Sequence, residues 1–496
     1  MYCLFREHKN KIPVYIIAAI AAIITYLLSS NYNLGFSPDS VTYFETANSL
    51  ISGKGFTDLN GHFVNHWPPG YPFFIMIISW AIGIPTILAG TIGNVFIVFS
   101  TILILFEIFD SYKIPPPISY FLLFLFILSP FFSIYLWFLS EGLFIFLFLL
   151  SLLIFTKWKS SHSVLYLSLS ALILGISALV RYAGIGFFIG YLVYLLLNGN
   201  YKFIKTTISN LFVFIISFLL PLVPWLFYAR LNGKASHDRK FDFEIIPATK
   251  FQEILLSIGS WIFGNLYGLF FLSFSILVLA VLYKSKLKFS VVLKLNLYLE
   301  NKWRLPLILG IMYLLFILFS ASFLDHAIPL SNRIFSPVYP FFLLLFGSLL
   351  TYLHNKVSFK LAYILPFLVM ISYSFRNIPI YIHHYKEGSG FTSQKFQNSA
   401  LLNYVQKNLE DKTLYTNDLF LLKIFTKNQN IIQLPVTGNS SGLEKIKPQL
   451  RKRQVVIIYF ELIDWRNYMV GKKEILKTFD NVEIRRFKDG FVLLNN

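Results

Sequence analysis

Long apolar runs alternate with short polar connections along most of this chain. A helix that spans a membrane needs about 20 mostly apolar residues, and many runs here reach that length. We predict about eleven transmembrane helices, at 12–30, 86–109, 117–134, 140–156, 163–180, 182–198, 207–227, 254–282, 305–323, 334–353 and 361–377. The first run is long for a signal peptide and lacks a clear cleavage site, so we expect it to be retained.

A shorter apolar run at 71–84 decides the orientation of every later helix. Its fourteen residues are typical of an interfacial or re-entrant helix rather than a span. If it does not cross, the loops on the N-terminal side carry 16 Lys and Arg residues and the opposite loops carry 8. Cytoplasmic loops are the ones enriched in these residues. We therefore predict a cytoplasmic N-terminus, with the loop 31–85 and the C-terminus outside.

The last part of the chain is charged, and its apolar runs are short. TLYTND, NIIQLP and QVVIIYF predict buried strands, and SALLNYVQKNL and GLEKIKPQL predict helices. VEIRRFKDGFVLLN predicts a hairpin that turns at Asp489–Gly490. The fold class that follows is mainly α. A polytopic membrane domain (1–379) precedes a small extracytoplasmic α/β domain (380–496).

Composition supports the membrane class and limits the partners. Of the 496 residues, 56% are hydrophobic and only 14% are charged, whereas about a quarter are charged in soluble domains. In a soluble protein the net charge of +19 would suggest nucleic acid, but the loop bias accounts for it here. We expect contact with membrane lipid and none with nucleic acid. The sequence contains no recognisable metal or cofactor motif, and we expect neither group.

Ionisable residues near membrane depth are costly, about 2.5–3.5 kcal/mol each at mid-span, and are therefore candidates for function. In the predicted topology such candidates lie at the outer face: Asp39, His66, Glu141, Arg181, Asp325, His326 and Arg333. Asp39 opens a predicted helix, where either it or Ser37 could serve as N-cap. Glu45 fits a solvated position on that helix. Glu141 has no neighbouring partner in the sequence, and partial solvation from the outer surface could account for it.

Several of these candidates also have a structural explanation. His66 lies beside Trp67 in HWPPGYP, whose prolines and glycine fix a rigid entry to the helix at 71–84. Arg181 could extend its head group to lipid phosphates. Arg333 shares a short loop with Asp325 and His326, which favours a binding role, because guanidinium groups match phosphate oxygens.

One outer carboxylate and several outer cations suit the transfer of a sugar from a lipid-linked phosphate. Cations hold the phosphate and stabilise the charge that grows on it as it leaves. The acceptor hydroxyl needs one general base, which a single carboxylate provides. Direct attack at the anomeric carbon would invert its configuration.

SPDSVTYFETANSLISGKGF followed by PPGYP resembles the first outer loop of the GT-C glycosyltransferases, and SEGLF and NRIFSPVYPFFLLL also resemble family positions. This superfamily includes protein O-mannosyltransferases and the aminoarabinose transferase of lipid A. TLYTNDLFLLKIFTKNQNIIQLP is similar to the small domain that often ends such chains. The mannosyltransferases carry an Asp-Glu pair, but here Ser40 follows Asp39, which weakens transfer to protein serine or threonine.

The resemblance implies roles for individual residues. Asp39 would be the catalytic base, and Arg333, with Arg181 and His326 as weaker candidates, would bind the donor phosphate. The partners would be a polyprenyl-phosphate-linked sugar and an acceptor glycan, lipid or protein, at a multi-pass cell membrane, a bacterial inner membrane by analogy. A transporter or flippase of lipid-linked saccharides is the alternative, although we find no internal repeat of the kind transporters show. A third interpretation is a membrane-anchored binding or assembly protein that acts through its C-terminal domain.

The orientation can be tested with alkaline phosphatase fused after residue 380. We expect an active fusion, because this enzyme folds only outside the cytoplasm and the tail is predicted there. A fusion after residue 200, in a loop predicted to be cytoplasmic, is the control and should be inactive. An inactive fusion after residue 380, together with an active fusion after residue 200, would mean that 71–84 spans the membrane.

Overall fold

The computed structural model describes residues 11–58, 61–64, 66–198, 204–233, 241–263, 303–326, 328–357, 359–426, 428, 430–466, 468–479 and 482–495. They form two compact units. The first comprises the chain up to Ser30 together with Phe63–Tyr385, and the second comprises Asn31–His62 together with Lys386–Asn496. The second unit therefore combines a segment from near the start of the chain with residues at the far end of the sequence.

Within the described residues, helices account for most of the first unit. Up to the C-terminal tail, the helices are α1 (Ile12–Ser29), α2 (Pro38–Ile51), α3 (Gly70–Ile82), α4 (Thr86–Ser111), α5 (Pro116–Leu128), α6 (Glu141–Ser161), α7 (Val164–Val180), α8 (Gly184–Leu197), α9 (Ile204–Asn232), α10 (Ala248–Phe263), α11 (Arg304–Phe323), α12 (Asn332–Phe335), α13 (Tyr339–Tyr352) and α14 (Phe359–Glu387). All of these except α2 begin in the first unit, so the prediction of a mainly α protein is confirmed.

Within the described residues, seven helices are long and apolar enough to cross a membrane. They are α1, α4, α6, α9, α11, the continuous stretch Asn332–Asn355, and α14 from Ala362. Shorter apolar helices are α3, α5, α7 and α8. The count of about eleven spans stays a prediction, since the predicted span 254–282 lies outside the described residues from 264 onward.

The predicted span 117–134 is interrupted. Helix α5 ends at Leu128, and a separate 3-10 turn occupies Phe132–Leu136. Pro130 accounts for the break, because proline has no N–H to donate and disfavours the helical conformation in the residue before it. The amide of Asn94 then fixes the turn, donating to the carbonyl oxygens of Tyr135 at 2.9 Å and Trp137 at 3.0 Å.

Small polar residues join the helices of the first unit. Ser151 on α6 and Ser170 on α7 each donate to the other's backbone carbonyl, at 2.8 and 2.9 Å. Ser168 on α7 lies 2.7 Å from Ser217 on α9, hydroxyl to hydroxyl. Membrane helices pack through such residues because lipid provides no hydrophobic force to drive helices together.

The second unit is built around a five-stranded sheet. Its elements after α14 are α15 (Gln394–Gln397), α16 (Ala400–Asn408), β1 (Thr413–Thr416), α17 (Leu419–Phe425), β2 (Ile431–Gln433), α18 (Ser440–Arg451), β3 (Val455–Phe460), α19 (Lys472–Thr478), β4 (Glu483–Phe487) and β5 (Gly490–Leu494). The strand order is β2-β1-β3-β5-β4, with β1 parallel to both β2 and β3. The predicted strands, helices and hairpin are all present. The helix α18 buries Leu443, Ile446 and Leu450 against this sheet.

The hairpin turns one residue earlier than predicted. Phe487 pairs with Gly490, which leaves Lys488 and Asp489 in the turn. Gly490 is instead the first residue of β5, where a Cβ atom would lie only 2.1 Å from the carbonyl oxygen of Tyr459. The glycine is therefore required by the close approach of β3. Asp489 is buried, and its carboxylate accepts from the backbone N–H of Leu401 at 3.2 Å.

The contact between α7 and α9 depends on the absence of a side chain at Gly175. A Cβ atom there would lie 2.3 Å from the carbonyl oxygen of Phe218 and 2.7 Å from Pro221. We expect Gly175→Ala to lower the stability of the detergent-solubilised protein by about 1–3 kcal/mol, because overpacking forces the helices apart. Thermal unfolding followed by tryptophan fluorescence measures this.

Gly310 on α11 provides the matched control. A Cβ atom there would meet its nearest neighbour, Phe341, at an ordinary 3.5 Å. Gly310→Ala should therefore leave the unfolding temperature unchanged or slightly raised. Equal unfolding temperatures for the two variants would contradict the role of Gly175.

Candidate active site

Asp39 lies in the first turn of α2, but it is not the N-cap. Ser37 is the N-cap: its hydroxyl accepts from the backbone N–H of Ser40, and the Ser40 hydroxyl accepts from the backbone N–H of Ser37 at 3.0 Å. This reciprocal capping box begins the helix, and Pro38 occupies its first position. The two candidate caps in the sequence are thereby distinguished. Asp39, half-buried, is an acid in the first turn, where the helix dipole favours negative charge.

Glu45, further along α2, is not the solvated residue that the sequence suggested. Its side chain is 2% exposed, and its carboxylate lies 3.1 Å from the ammonium group of Lys423. Lys423 is nearly as buried, and it lies on α17 in the C-terminal part of the second unit. Local spacing could not reveal this pair, because its members are 378 positions apart.

Three of the predicted site residues meet in the first unit. Glu141 begins α6, Arg181 directly follows α7, and Arg333 lies in the short helix α12. One carboxylate oxygen of Glu141 accepts from the Arg181 guanidinium at 2.7 Å and also from Nε of Arg333. The prediction of an unpaired, partly solvated Glu141 is therefore wrong. We call these three residues the Glu141 cluster.

Burial and charge are unevenly distributed in the Glu141 cluster. The glutamate side chain is 1% exposed, whereas those of Arg181 and Arg333 are 17% and 29% exposed. Arg181 also donates to the hydroxyl of Ser140 at 3.1 Å, next to Glu141 in the chain. Two guanidinium groups on one carboxylate leave a formal charge of +1. The cluster is thus an anchored, partly accessible cationic group of the kind that binds oxyanions.

The HWPPGYP motif packs beside the end of α7. A Cβ atom at Gly70 would lie 2.8 Å from the carbonyl oxygen of Leu179, so only glycine permits this approach. Arg181 lies two residues further along the chain. His66 and Trp67 are half-buried and meet edge to face, with ring centroids 4.6 Å apart. The motif therefore has a packing role that helps to position the residue before Arg181.

His326 and Asp325 lie in the loop after α11, and both make hydrogen bonds to the end of that helix. The Nδ1 atom of His326 is 3.0 Å from the carbonyl oxygen of Ala321 and 3.6 Å from the carboxylate of Glu244. The backbone N–H of Asp325 donates to the carbonyl oxygen of Ser320 at 2.9 Å. Within the part of the chain that the structure describes, no hydrogen bond or ion pair joins His326 to the Glu141 cluster.

Sequence analysis missed the residues that hold this loop, which lie on α10. Lys250 donates to the carbonyl oxygens of His326 and Ile328, the latter at 3.0 Å. Glu253 accepts from the backbone N–H of Leu330 at 3.2 Å, and Ser257 donates to the carbonyl oxygen of the same residue at 3.3 Å. The polar face of α10 is thus used to fix the segment that leads to Arg333. Its sequence signal was only a set of polar residues at helical spacing.

Within the described residues, no three His, Cys, Asp or Glu side chains are grouped as metal ligands would be.

Comparison with known proteins identifies the fold but not a sequence family. No protein-family model matches the chain, and no curated protein matches it in sequence. ArnT from Cupriavidus metallidurans, solved bound to undecaprenyl phosphate, is similar with a TM-score of 0.62 at 12% identity, over 97% of each chain. Its apo form gives the same TM-score and identity, over 96% of this chain and 97% of that one.

A second solved protein extends the likeness. The archaeal oligosaccharyltransferase AglB from Archaeoglobus fulgidus, in complex with an inhibitory peptide and a dolichol-phosphate, is similar with a TM-score of 0.54 at 12% identity. The match covers 98% of this chain and 74% of AglB. ArnT and AglB are both GT-C glycosyltransferases. This chain therefore has the fold of the GT-C membrane glycosyltransferases, as its sequence motifs implied.

Proposed function

We propose that this protein is a membrane glycosyltransferase that takes its sugar from a polyprenyl-phosphate-linked donor. The observation that carries the proposal is the Glu141 cluster, two arginines fixed by a buried carboxylate in a membrane unit. An anchored cationic group at the end of apolar helices suits a ligand with a phosphate head and a hydrocarbon tail. The fold supports the same conclusion, because the ArnT and AglB structures that share it contain undecaprenyl phosphate and dolichol-phosphate.

The reaction we propose is a single displacement with inversion. An acceptor hydroxyl oxygen attacks the anomeric carbon, and its proton passes to the Asp39 carboxylate. The bond between that carbon and the phosphate oxygen breaks, and its electron pair stays on the phosphate. Arg333 and Arg181 stabilise the additional negative charge, so the leaving group requires no general acid.

Glu141 acts in this proposal by holding the two arginines. A buried carboxylate is costly unless it is paired, and two guanidinium groups satisfy that requirement. In return, the carboxylate fixes Arg181 at the end of α7 and Arg333 on α12. The arginines are thus oriented before the donor binds, which lowers the cost of ordering them on binding.

The site residues beyond this group have subordinate roles in the proposal. His326 and Asp325 would influence donor binding through the loop that leads to Arg333, and His66 through the packing of its motif. The acceptor would be an extracytoplasmic glycan, lipid or protein, the sugar a hexose or pentose, and the site the outer face of a bacterial inner membrane.

Removing the proposed base should abolish transfer and leave the fold intact. Asp39→Asn keeps the size of the side chain but cannot accept the proton from the acceptor hydroxyl. We expect turnover to fall by at least about 100-fold, within the usual contribution of a general base. The assay measures undecaprenyl phosphate released from a panel of undecaprenyl-phosphate-linked hexoses and pentoses, with membranes as the source of acceptor.

Asp110→Asn, at an exposed position on α4, is the control and should retain normal turnover. Near-normal turnover by Asp39→Asn, at normal protein yield, would rule out Asp39 as the base. Movement of the donor across the membrane without release of undecaprenyl phosphate would favour a transporter instead.

Removing a phosphate-binding arginine should weaken donor binding more than acceptor binding. A hydrogen bond to a charged group contributes about 1.5–3 kcal/mol, so Arg333→Ala should reduce the affinity for undecaprenyl phosphate about 10- to 100-fold. Isothermal titration of the solubilised protein measures this affinity, and the unfolding temperature reports separately on stability.

Arg304→Ala provides the comparison, because Arg304 is an exposed arginine whose guanidinium donates to the amide oxygen of Asn198 at 3.0 Å. Its affinity for undecaprenyl phosphate should equal that of the unchanged protein. If Arg333→Ala also binds undecaprenyl phosphate as tightly as the unchanged protein, Arg333 does not bind the donor phosphate.

A further inference from the structure

The segment that carries Asp39 is bound to the C-terminal part of the chain on both sides of that residue. On the N-terminal side, the backbone N–H of Phe391 donates to the carbonyl oxygen of Phe36 at 2.9 Å. Nearby, the Thr392 hydroxyl donates to the carbonyl oxygen of Leu34 at 2.8 Å. These contacts fix the backbone three residues before Asp39.

On the C-terminal side of Asp39, Lys423 connects α2 and the segment after it to α17. The ammonium group of Lys423 lies 3.1 Å from the carboxylate of Glu45 and 3.7 Å from that of Asp58. Glu45 follows Asp39 on α2 by six residues, about 9 Å along the helix axis. Asp58 belongs to the segment after α2, and it also accepts from the backbone N–H of His62 at 2.9 Å. A single cation therefore joins the helix and the segment that follows it.

Burial makes this connection specific. The side chains of Lys423 and Glu45 are 8% and 2% exposed, so neither charge is well hydrated when the other is absent. Buried charges persist in proteins when they are paired, and removal of one partner leaves the other uncompensated. A surface pair at the same distance would exert far less constraint.

Lys423 is itself held in place by the C-terminal residues. It lies on α17, whose N-cap is Asp418, a carboxylate that accepts from the backbone N–H groups of Phe420 and Leu421. The other oxygen of Asp418 accepts from Nε of Arg466 at 2.8 Å. Burial raises the pKa of Asp418, and the neighbouring Arg466 opposes that shift.

We propose that Lys423 is a positioning residue for Asp39, so that the C-terminal residues set the geometry of the proposed base without contributing a catalytic group. The inference rests on the proposed role of Asp39. A displacement of about 1 Å in a reacting group can cost about 100-fold in rate, so an anchor less than two helical turns away is close enough to affect turnover. Lys423 then contributes to turnover through Glu45, six residues along α2 from the proposed base, and not by contact with the reacting atoms.

The test replaces Lys423 by methionine in the full-length protein. We expect Lys423→Met to lower kcat about 10- to 100-fold while KM for the donor that the unchanged protein turns over stays within about threefold. Hydrogen exchange of the peptide covering 38–51 should rise about tenfold or more, without a comparable rise in α4 or α6. A general loss of structure would raise exchange in all of these peptides.

Lys447→Met is the matched control. Lys447 forms an exposed pair with Glu444 at 2.7 Å on α18 of the same unit, so its replacement should change neither turnover nor exchange. Glu45→Gln should reproduce the effect of Lys423→Met. The double variant should be no more impaired than the worse single variant, because the two residues act as one contact.

Two results would overturn the inference. One is normal kcat in Lys423→Met, and the other is lowered kcat with unchanged exchange over 38–51. Asp39→Asn, measured alongside, separates the two proposals: it should lose turnover with unchanged exchange over 38–51. If Asp39→Asn remains active, the proposed base is wrong, whereas the exchange data still report whether Lys423 anchors α2.

Discussion

The first unit of this protein is organised around the pairing of one buried carboxylate with two arginines. Glu141 is almost completely enclosed, and a carboxylate in that environment requires cationic partners. Meeting that requirement brings the beginning of α6, the end of α7 and the short helix α12 to one point. The interaction that satisfies a buried charge thus also assembles the group that we propose binds phosphate.

Other parts of the first unit support that point. Gly70 allows the HWPPGYP motif to approach the end of α7, next to Arg181. Lys250 and Glu253 on α10 fix the loop that precedes Arg333. In both cases residues with no chemical role of their own set the positions of those that we propose have one. Such support is what pre-organised sites require, because side chains with few neighbours would have to be ordered on binding.

The likeness to ArnT at 12% identity shows how little of a membrane fold depends on particular residues. Apolar helices of adequate length and small residues at their contacts are provided by many sequences, and these suffice for the architecture. Chemistry is more demanding. In the function that we propose, Glu141, Arg181 and Arg333 act through charge and geometry, so their positions matter more than the identity of the surrounding residues.

The sequence by itself determined the membrane class, most helix positions, the strands of the C-terminal sheet and the motifs of the GT-C fold. Periodicity, length and turn residues are local properties, and local properties can be read along a chain. Tertiary structure decided that Ser37 rather than Asp39 caps α2, that Glu45 is buried against Lys423, and that Glu141 pairs with Arg181 and Arg333. Two of these three depend on residues far apart in sequence. The strength of a charge interaction depends on the distance between the charges and on their burial in the folded chain. Neither quantity can be read from the amino-acid sequence.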